Sequence, residues 1–256
     1  MIFFLLIVFP FLIPLIYFIN LRLLFSLSDQ WYWLLIIVLV LDLAYFVFLY
    51  FRNKSKLRWL GVFFLHSLFY ISLGFAFTLI LTDAFATNLF SVLWPLMLII
   101  FLYSSLHFAY ETSRLLIIDI KNIIPYINVA CFFVLTAVLI NVNIFLAFPS
   151  WAVMIIFIVS AFVLNLPLFF LYEDKLKISF YYAGIVTLII SEIMLGMLFL
   201  PAGFYVLGAT VAISYYLMMI LLKKKFEGQL QRKDFYKHFS FAAVLLIIIL
   251  ATSQWI

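Results

Sequence analysis

The sequence predicts an all-α integral membrane protein, a bundle of about nine transmembrane helices, and three observations carry that prediction. The first is composition: 70% of the 256 residues are hydrophobic and only 10% are charged, where a water-soluble domain carries roughly 25% charged residues. So little charge cannot cover a water-facing surface, and lipid must be the outer solvent. The second is run length. The stretch from Ile178 to Leu200 carries one charged residue, Glu192, whereas the strands of a membrane barrel alternate polar and apolar positions over roughly 10 residues. Inside hydrocarbon only helices and closed barrels satisfy every backbone group, so unbroken runs select helices. The third is the one-sided placement of Lys and Arg, taken up below.

A helix needs about 20 mostly apolar residues to cross roughly 30 Å of hydrocarbon. The first such stretch, 2–19, holds Pro10 and Pro14, which kink a helix. It lacks the basic start and small-residue cleavage site of a signal peptide, so it reads as a span; without it the total is eight. The second, 31–51, holds Asp42 and Tyr45, and the third, 59–81, holds His66. The fourth, 89–108, ends in the polar series Tyr103, His107, Tyr110, Glu111 and Arg114. The fifth, 124–141, contains Cys131, the only cysteine, which rules out a disulfide within the chain and a cysteine-based metal site. The sixth, 149–172, carries Asn165 and Pro167, and the seventh, 178–200, carries Glu192. Leu200, Pro201, Ala202 and Gly203 form a tight turn into the eighth, 204–222, so these two helices pair antiparallel. The ninth runs over 239–255.

Orientation follows from the basic residues in the short loops. The loops at 52–58, 109–123, 173–177 and 223–238 hold fourteen of the fifteen Lys and Arg residues, and with nine spans all four lie on one side. The other side holds Arg22 against Asp29 and Asp83. The N-terminus is therefore predicted inside and the C-terminus outside, in a cytoplasmic (inner) membrane. The same distribution accounts for the net charge of +5. Lys223, Lys224 and Lys225 read as an anchor on anionic lipid headgroups rather than a nucleic-acid patch. No loop is long enough for an independent domain, so residues 1–256 are expected to form a single transmembrane domain with no soluble part. Activity is then confined to the bilayer or its surface.

Ionisable side chains inside a membrane are expensive, and they usually face a packed interior or a wet cavity. Asp42 sits about 13 Å from the inner end of its span at helical rise, with Tyr45 on the same face. His66 sits about 10 Å from the inner end of the next span. A short loop joins the two, so Asp42 is within reach of His66, as a proton relay, a cation site or a polar fastener between helices. Tyr103, His107, Tyr110, Glu111 and Arg114 share one side of the fourth helix. They form either the mouth of an inward-facing cavity, with Arg114 receiving an anionic group, or an interfacial belt of tyrosine and snorkelling arginine. Asn165 precedes Pro167, which frees a backbone carbonyl, and broken helices line the binding sites of many transporters; a packing kink is the plainer explanation. Glu192 stands one turn before Gly196, opposite Gly208 and Ala212 of the eighth span. Small residues there would allow a close helix contact that a protonated Glu192 bridges, or Glu192 serves as an ion-coupling site.

No zinc spacing, nucleophile-elbow serine or phosphate-binding loop occurs, and no cofactor or metal is expected. The expected function is binding or transport of a small or lipidic molecule through an inward-facing polar pocket. The candidate residues are Asp42, His66, His107, Glu111, Arg114, Asn165 and Glu192. Two rivals stand beside it: a structural or assembly subunit of a membrane complex, with a membrane-protein partner or a second copy, and an intramembrane enzyme acting on lipid-linked substrates.

Overall fold

The computed structural model describes residues 2–24, 31–52, 57–110, 120–172, 176–228 and 231–252. These residues form nine helices: α1 (Ile2–Leu23), α2 (Trp31–Arg52), α3 (Leu57–Ile80), α4 (Ala84–Tyr110), α5 (Ile120–Phe145), α6 (Ser150–Tyr172), α7 (Leu176–Met197), α8 (Phe204–Phe226) and α9 (Arg232–Thr252). Six of them, α3 to α8, are long and apolar enough over their described residues to cross a membrane. In α1, α2 and α9 the corresponding apolar stretches are shorter: Val8–Leu23, Leu35–Phe51 and Phe235–Ile249. The all-helical membrane bundle expected from composition is the fold observed.

Lipid as outer solvent explains how side chains distribute around each helix. On α6 the buried face is Val153, Phe157, Ala161 and Leu164, while Ile155, Ile156, Ile158 and Val159 are exposed. Both faces are apolar. A helix hydrophobic all round belongs in a protein core or a membrane, and here one stretch of its apolar surface lies exposed.

Helix ends are set by polar residues that a hydropathy reading passes over. Helix α4 begins five residues before the predicted span, because the Asp83 carboxylate accepts the Ala86 backbone N–H at 2.7 Å and caps the first turn. The Thr87 hydroxyl donates to the Asp83 carbonyl at 2.8 Å. Helix α8 runs past the predicted end at 222 and carries Lys223, Lys224 and Lys225 in its last turn. Lysine is a good helix former, and cations are favourable at a helix C-terminus. Arg232, Lys233 and Lys237 likewise lie on α9, so the expected loop 223–238 is mostly helical extension. The turn predicted between α7 and α8 is present, with Leu198, Phe199 and Leu200 hydrogen-bonded back onto the end of α7 and Ala202 onto the Leu200 carbonyl.

The chain divides into two compact units, Met1–Ile124 and Pro125–Ile256. In the first, α1 packs on α2 and α4, and α3 packs on the same two helices, closing a four-helix ring. Its tightest point is Gly74 on α3. A β-carbon there would collide with the Tyr17 hydroxyl of α1 and the Trp94 indole of α4. Both aromatics are fixed in place: Tyr17 donates to the Ile71 carbonyl at 2.8 Å, and Trp94 donates to the Tyr70 carbonyl at 3.2 Å. Tyr70 answers by donating to the Trp94 carbonyl at 2.7 Å, and the two rings stack with centroids 4.3 Å apart. In the second unit, α6 packs on α7, α7 on α8 and α8 on α9. Helix α5 approaches α8 closely, since a β-carbon on Gly208 would lie 2.9 Å from the Phe133 carbonyl and 3.3 Å from Ala137 Cβ.

Candidate functional site

The first unit holds a polar cluster in the middle of its helix ring. Asp42 projects from α2 into the interior and is fully buried. Its Oδ1 accepts a hydrogen bond from the Ser67 hydroxyl of α3 at 2.9 Å. One turn further along α2, the Tyr45 hydroxyl donates to the Leu102 carbonyl of α4 at 2.9 Å and lies 3.4 Å from Ser105 Oγ. Ser105 donates to that same carbonyl at 2.7 Å. His66, fully buried beside Ser67 on α3, sets its ring against Phe101 of α4, centroids 5.0 Å apart. Three helices therefore bring polar groups to one level of the ring, and aromatic rings close around them.

Asn128 Oδ1, Thr136 Oγ1 and Ser191 Oγ are left without a partner in the second unit, whereas in this cluster the unpartnered atoms belong to a carboxylate and an imidazole. Asp42 Oδ2 and both ring nitrogens of His66 are buried and make no hydrogen bond. The expected Asp42–His66 bond is therefore not formed. The carboxylate reaches α3 one residue away, at Ser67, because neighbouring residues on a helix point about 100° apart. His107, half-buried further along α4, also leaves its Nε2 without a partner. Each unsatisfied buried group costs about 1–3 kcal/mol. The chemistry on offer is a carboxylate oxygen able to hold a proton or meet a cation, and an imidazole able to donate at one nitrogen and accept at the other. Among the described residues no group of three His, Cys, Asp or Glu side chains is arranged for a metal ion.

Asn165 belongs to a different arrangement, in the second unit. The Asn128 side-chain amide of α5 donates to the Leu164 carbonyl of α6 at 2.8 Å and to the Tyr215 hydroxyl of α8 at 3.1 Å. Tyr215 donates to Asn165 Oδ1 at 2.9 Å, and the Asn165 amide donates to Thr187 Oγ1 of α7 at 3.3 Å. One hydrogen-bonded chain thus ties four helices together. Pro167 has no N–H to give the Val163 carbonyl; the carbonyl that Asn128 meets is the next one along, that of Leu164. Asn128, Tyr215 and Thr187 were not among the expected site residues. Asn128 carried the same signal as Asn165, an amide deep in an apolar span; tyrosine and threonine in such spans carry none.

Glu192 is exposed on α7. The small residues expected to meet it serve other ends: a β-carbon on Gly196 would touch nothing, and Gly208 is covered by α5. Helix α7 does pack on α8 as expected, but the close approach at Gly208 is to α5, whose Ala137 and Phe133 backbone fill the space above it. Glu111 and Arg114 lie outside the described residues. The candidate residues thus divide between the units, Asp42, His66 and His107 in the first and Asn165 and Glu192 in the second.

Comparison with protein-family models, with curated proteins and with solved structures returned no significant match.

Proposed function

We propose that the chain binds and moves a small protonatable or cationic solute, or the proton itself, through the polar core of its first unit. The reading is carried by one observation: Asp42 Oδ2 and both nitrogens of His66 are buried inside the helix ring and make no hydrogen bond. A buried ionisable group in a membrane segment marks an ion or substrate path more often than it serves stability. On the orientation that the basic residues predict, Asp42 and His66 lie toward the cytoplasmic half of an inner membrane, with the N-terminus inside.

The test is a stability screen of the purified full chain in detergent, comparing wild type with Asp42→Asn across pH, monovalent and divalent cations and small cationic metabolites. Asparagine keeps the shape and the acceptor that Ser67 uses, and removes the ionisable oxygen. A solute that binds only the folded state raises apparent stability by about 2.7 kcal/mol at a hundred times its Kd. The expected result is a solute or pH range that stabilises wild type and leaves Asp42→Asn unmoved. Equal responses from the two proteins would remove Asp42 from the site.

A second reading, a structural or assembly subunit, draws on the hydrogen-bonded chain through Asn128, Tyr215, Asn165 and Thr187. There the polar groups fasten helices to one another and leave little for a ligand. It predicts that Asp42→Asn changes stability or complex formation and no flux. Enzymatic action on lipid-linked substrates rests on Glu111, Arg114 and His107, of which His107 alone lies among the described residues.

A further inference from the structure

The second unit carries a groove built like a lipid site, formed by residues separate from Asp42 and His66. A cavity of about 160 Å³ lies between the start of α5 and the end of α8, with Lys223, Lys224 and Glu227 at its mouth and Tyr126 and Tyr216 on its walls. An apolar groove of about 440 Å³ adjoins it and shares Tyr126, Val129 and Tyr216. Ala130 and Phe133 of α5 line it with Ala209, Ala212 and Ile213 of α8, and α9 supplies a third wall with Phe241 and Leu245.

The sequence spacing makes the two spaces one feature. On α8 the lining positions recur at intervals of three and four from Ala209 through Tyr216 to Lys224, the period of a single helix face. That face is about 22 Å long at helical rise. It starts apolar and narrow-residued, passes two tyrosine rings and ends in two ammonium groups. Tyrosine is at home where hydrocarbon meets headgroup, so the order along the groove follows the order of chemistry along a phospholipid. Glu227 sits 4.0 Å from the Lys223 ammonium, so the mouth sets one carboxylate beside two ammonium groups. Lys225 is exposed and lies off the lining face.

We infer that this groove binds one anionic phospholipid, its phosphate at Lys223 and Lys224 between the tyrosines and one acyl chain along Ala130, Ala209 and Ala212. The lysine run is then more than a topology anchor: two of its three members belong to a built site and the third does not.

The experiment is native mass spectrometry of the detergent-purified full chain titrated with phosphatidylglycerol, phosphatidylcholine or inorganic phosphate. The expected result is a single saturable phosphatidylglycerol, with little binding of the zwitterionic lipid and no competition from inorganic phosphate. Lys223→Gln and Lys224→Gln are each expected to weaken that binding about fivefold, the value of one lysine near an anionic surface. Lys225→Gln is expected to leave it unchanged. Ala130→Phe fills the groove with every lysine intact and is expected to abolish the tight lipid. Equal losses from all three lysine variants, binding that survives Ala130→Phe, or competition by inorganic phosphate would each overturn the proposal in favour of diffuse attraction. A dimer that Ala130→Phe dissolves would overturn it in favour of a second copy in the groove.

Discussion

Asp42 and Asn165 are both polar side chains with no exposed surface, each inside an apolar helix, and the two units partner them differently. Around Asn165 the amide finds Thr187, the carbonyl oxygen is met by Tyr215, and Tyr215 is met in turn by Asn128, whose own Oδ1 alone in this hydrogen-bonded chain lacks a partner. Around Asp42 one oxygen is held by Ser67 and the other by nothing, while the imidazole of the adjacent His66 makes no hydrogen bond. Satisfied buried networks rigidify a core, whereas partly satisfied ones forfeit stability. The second unit uses polarity to fasten helices. The first tolerates a cost that packing elsewhere must offset, which is the pattern of a site kept for something other than stability.

If packing holds the first unit together, disturbing it there should do the most damage. Gly74→Ala places a β-carbon against both the Tyr17 hydroxyl and the Trp94 indole. Neither ring can withdraw without breaking its bond to the α3 backbone. Overpacking of a tight core costs about 1–3 kcal/mol, and with two hydrogen bonds strained at once the upper end is expected. Thermal unfolding in detergent should show this as the largest loss of the series. A shift no larger than that of a surface variant would mean that the ring is loose at α1, α3 and α4.

The second unit should break at its polar chain. Tyr215→Phe keeps the aromatic contact with Phe132, whose ring centroid lies 4.1 Å away, and removes only the hydroxyl. Asn165 Oδ1 then loses its donor and one Asn128 amide hydrogen loses its acceptor. Interhelical hydrogen bonds in membrane proteins average about 0.6 kcal/mol with a maximum near 1.7, and two orphaned groups place the loss at about 1–2 kcal/mol. Hydrogen exchange should locate the weakening in α5, α6 and α8. An unchanged melting curve would show that the chain is incidental, and the contrast between the units would lose one side.

The helices themselves were legible because membrane spans are written in run length, which needs no partner to read. The errors fell where charge ends a hydropathy run but not a helix, at Lys223–Lys225 and at Arg232, and where Asp83 starts α4 earlier than its apolar residues do. The site was half legible. Asp42, His66 and Asn165 stood out as polar residues in costly places, but partnership is decided by rotation about each helix and by which helices are neighbours. One position along α3 separates Ser67, which Asp42 meets, from His66, which it does not. Gly208 likewise announced a close helix approach, while only three-dimensional packing could assign it to α5 in place of α7.

The smallest and most discriminating effect is expected at His66. Replacing it with phenylalanine keeps a flat ring against Phe101, 5.0 Å from the present imidazole, and removes two nitrogens that make no hydrogen bond. Relief of those groups is worth about 1–3 kcal/mol each, and the larger ring in a packed site takes back part of the gain, so a net stabilisation of about 1 kcal/mol is expected. Thermal unfolding in detergent measures it, beside His66→Gln, which restores a polar group and should not share the gain. A functional residue held at a cost predicts this result together with the loss of whatever solute response wild type shows, because activity and stability compete at such positions. A destabilised His66→Phe would mean that water or a bound group already satisfies the imidazole. The first unit would then be fastened by polarity as the second is, and the difference between Asp42 and Asn165 would be one of ligand rather than of design.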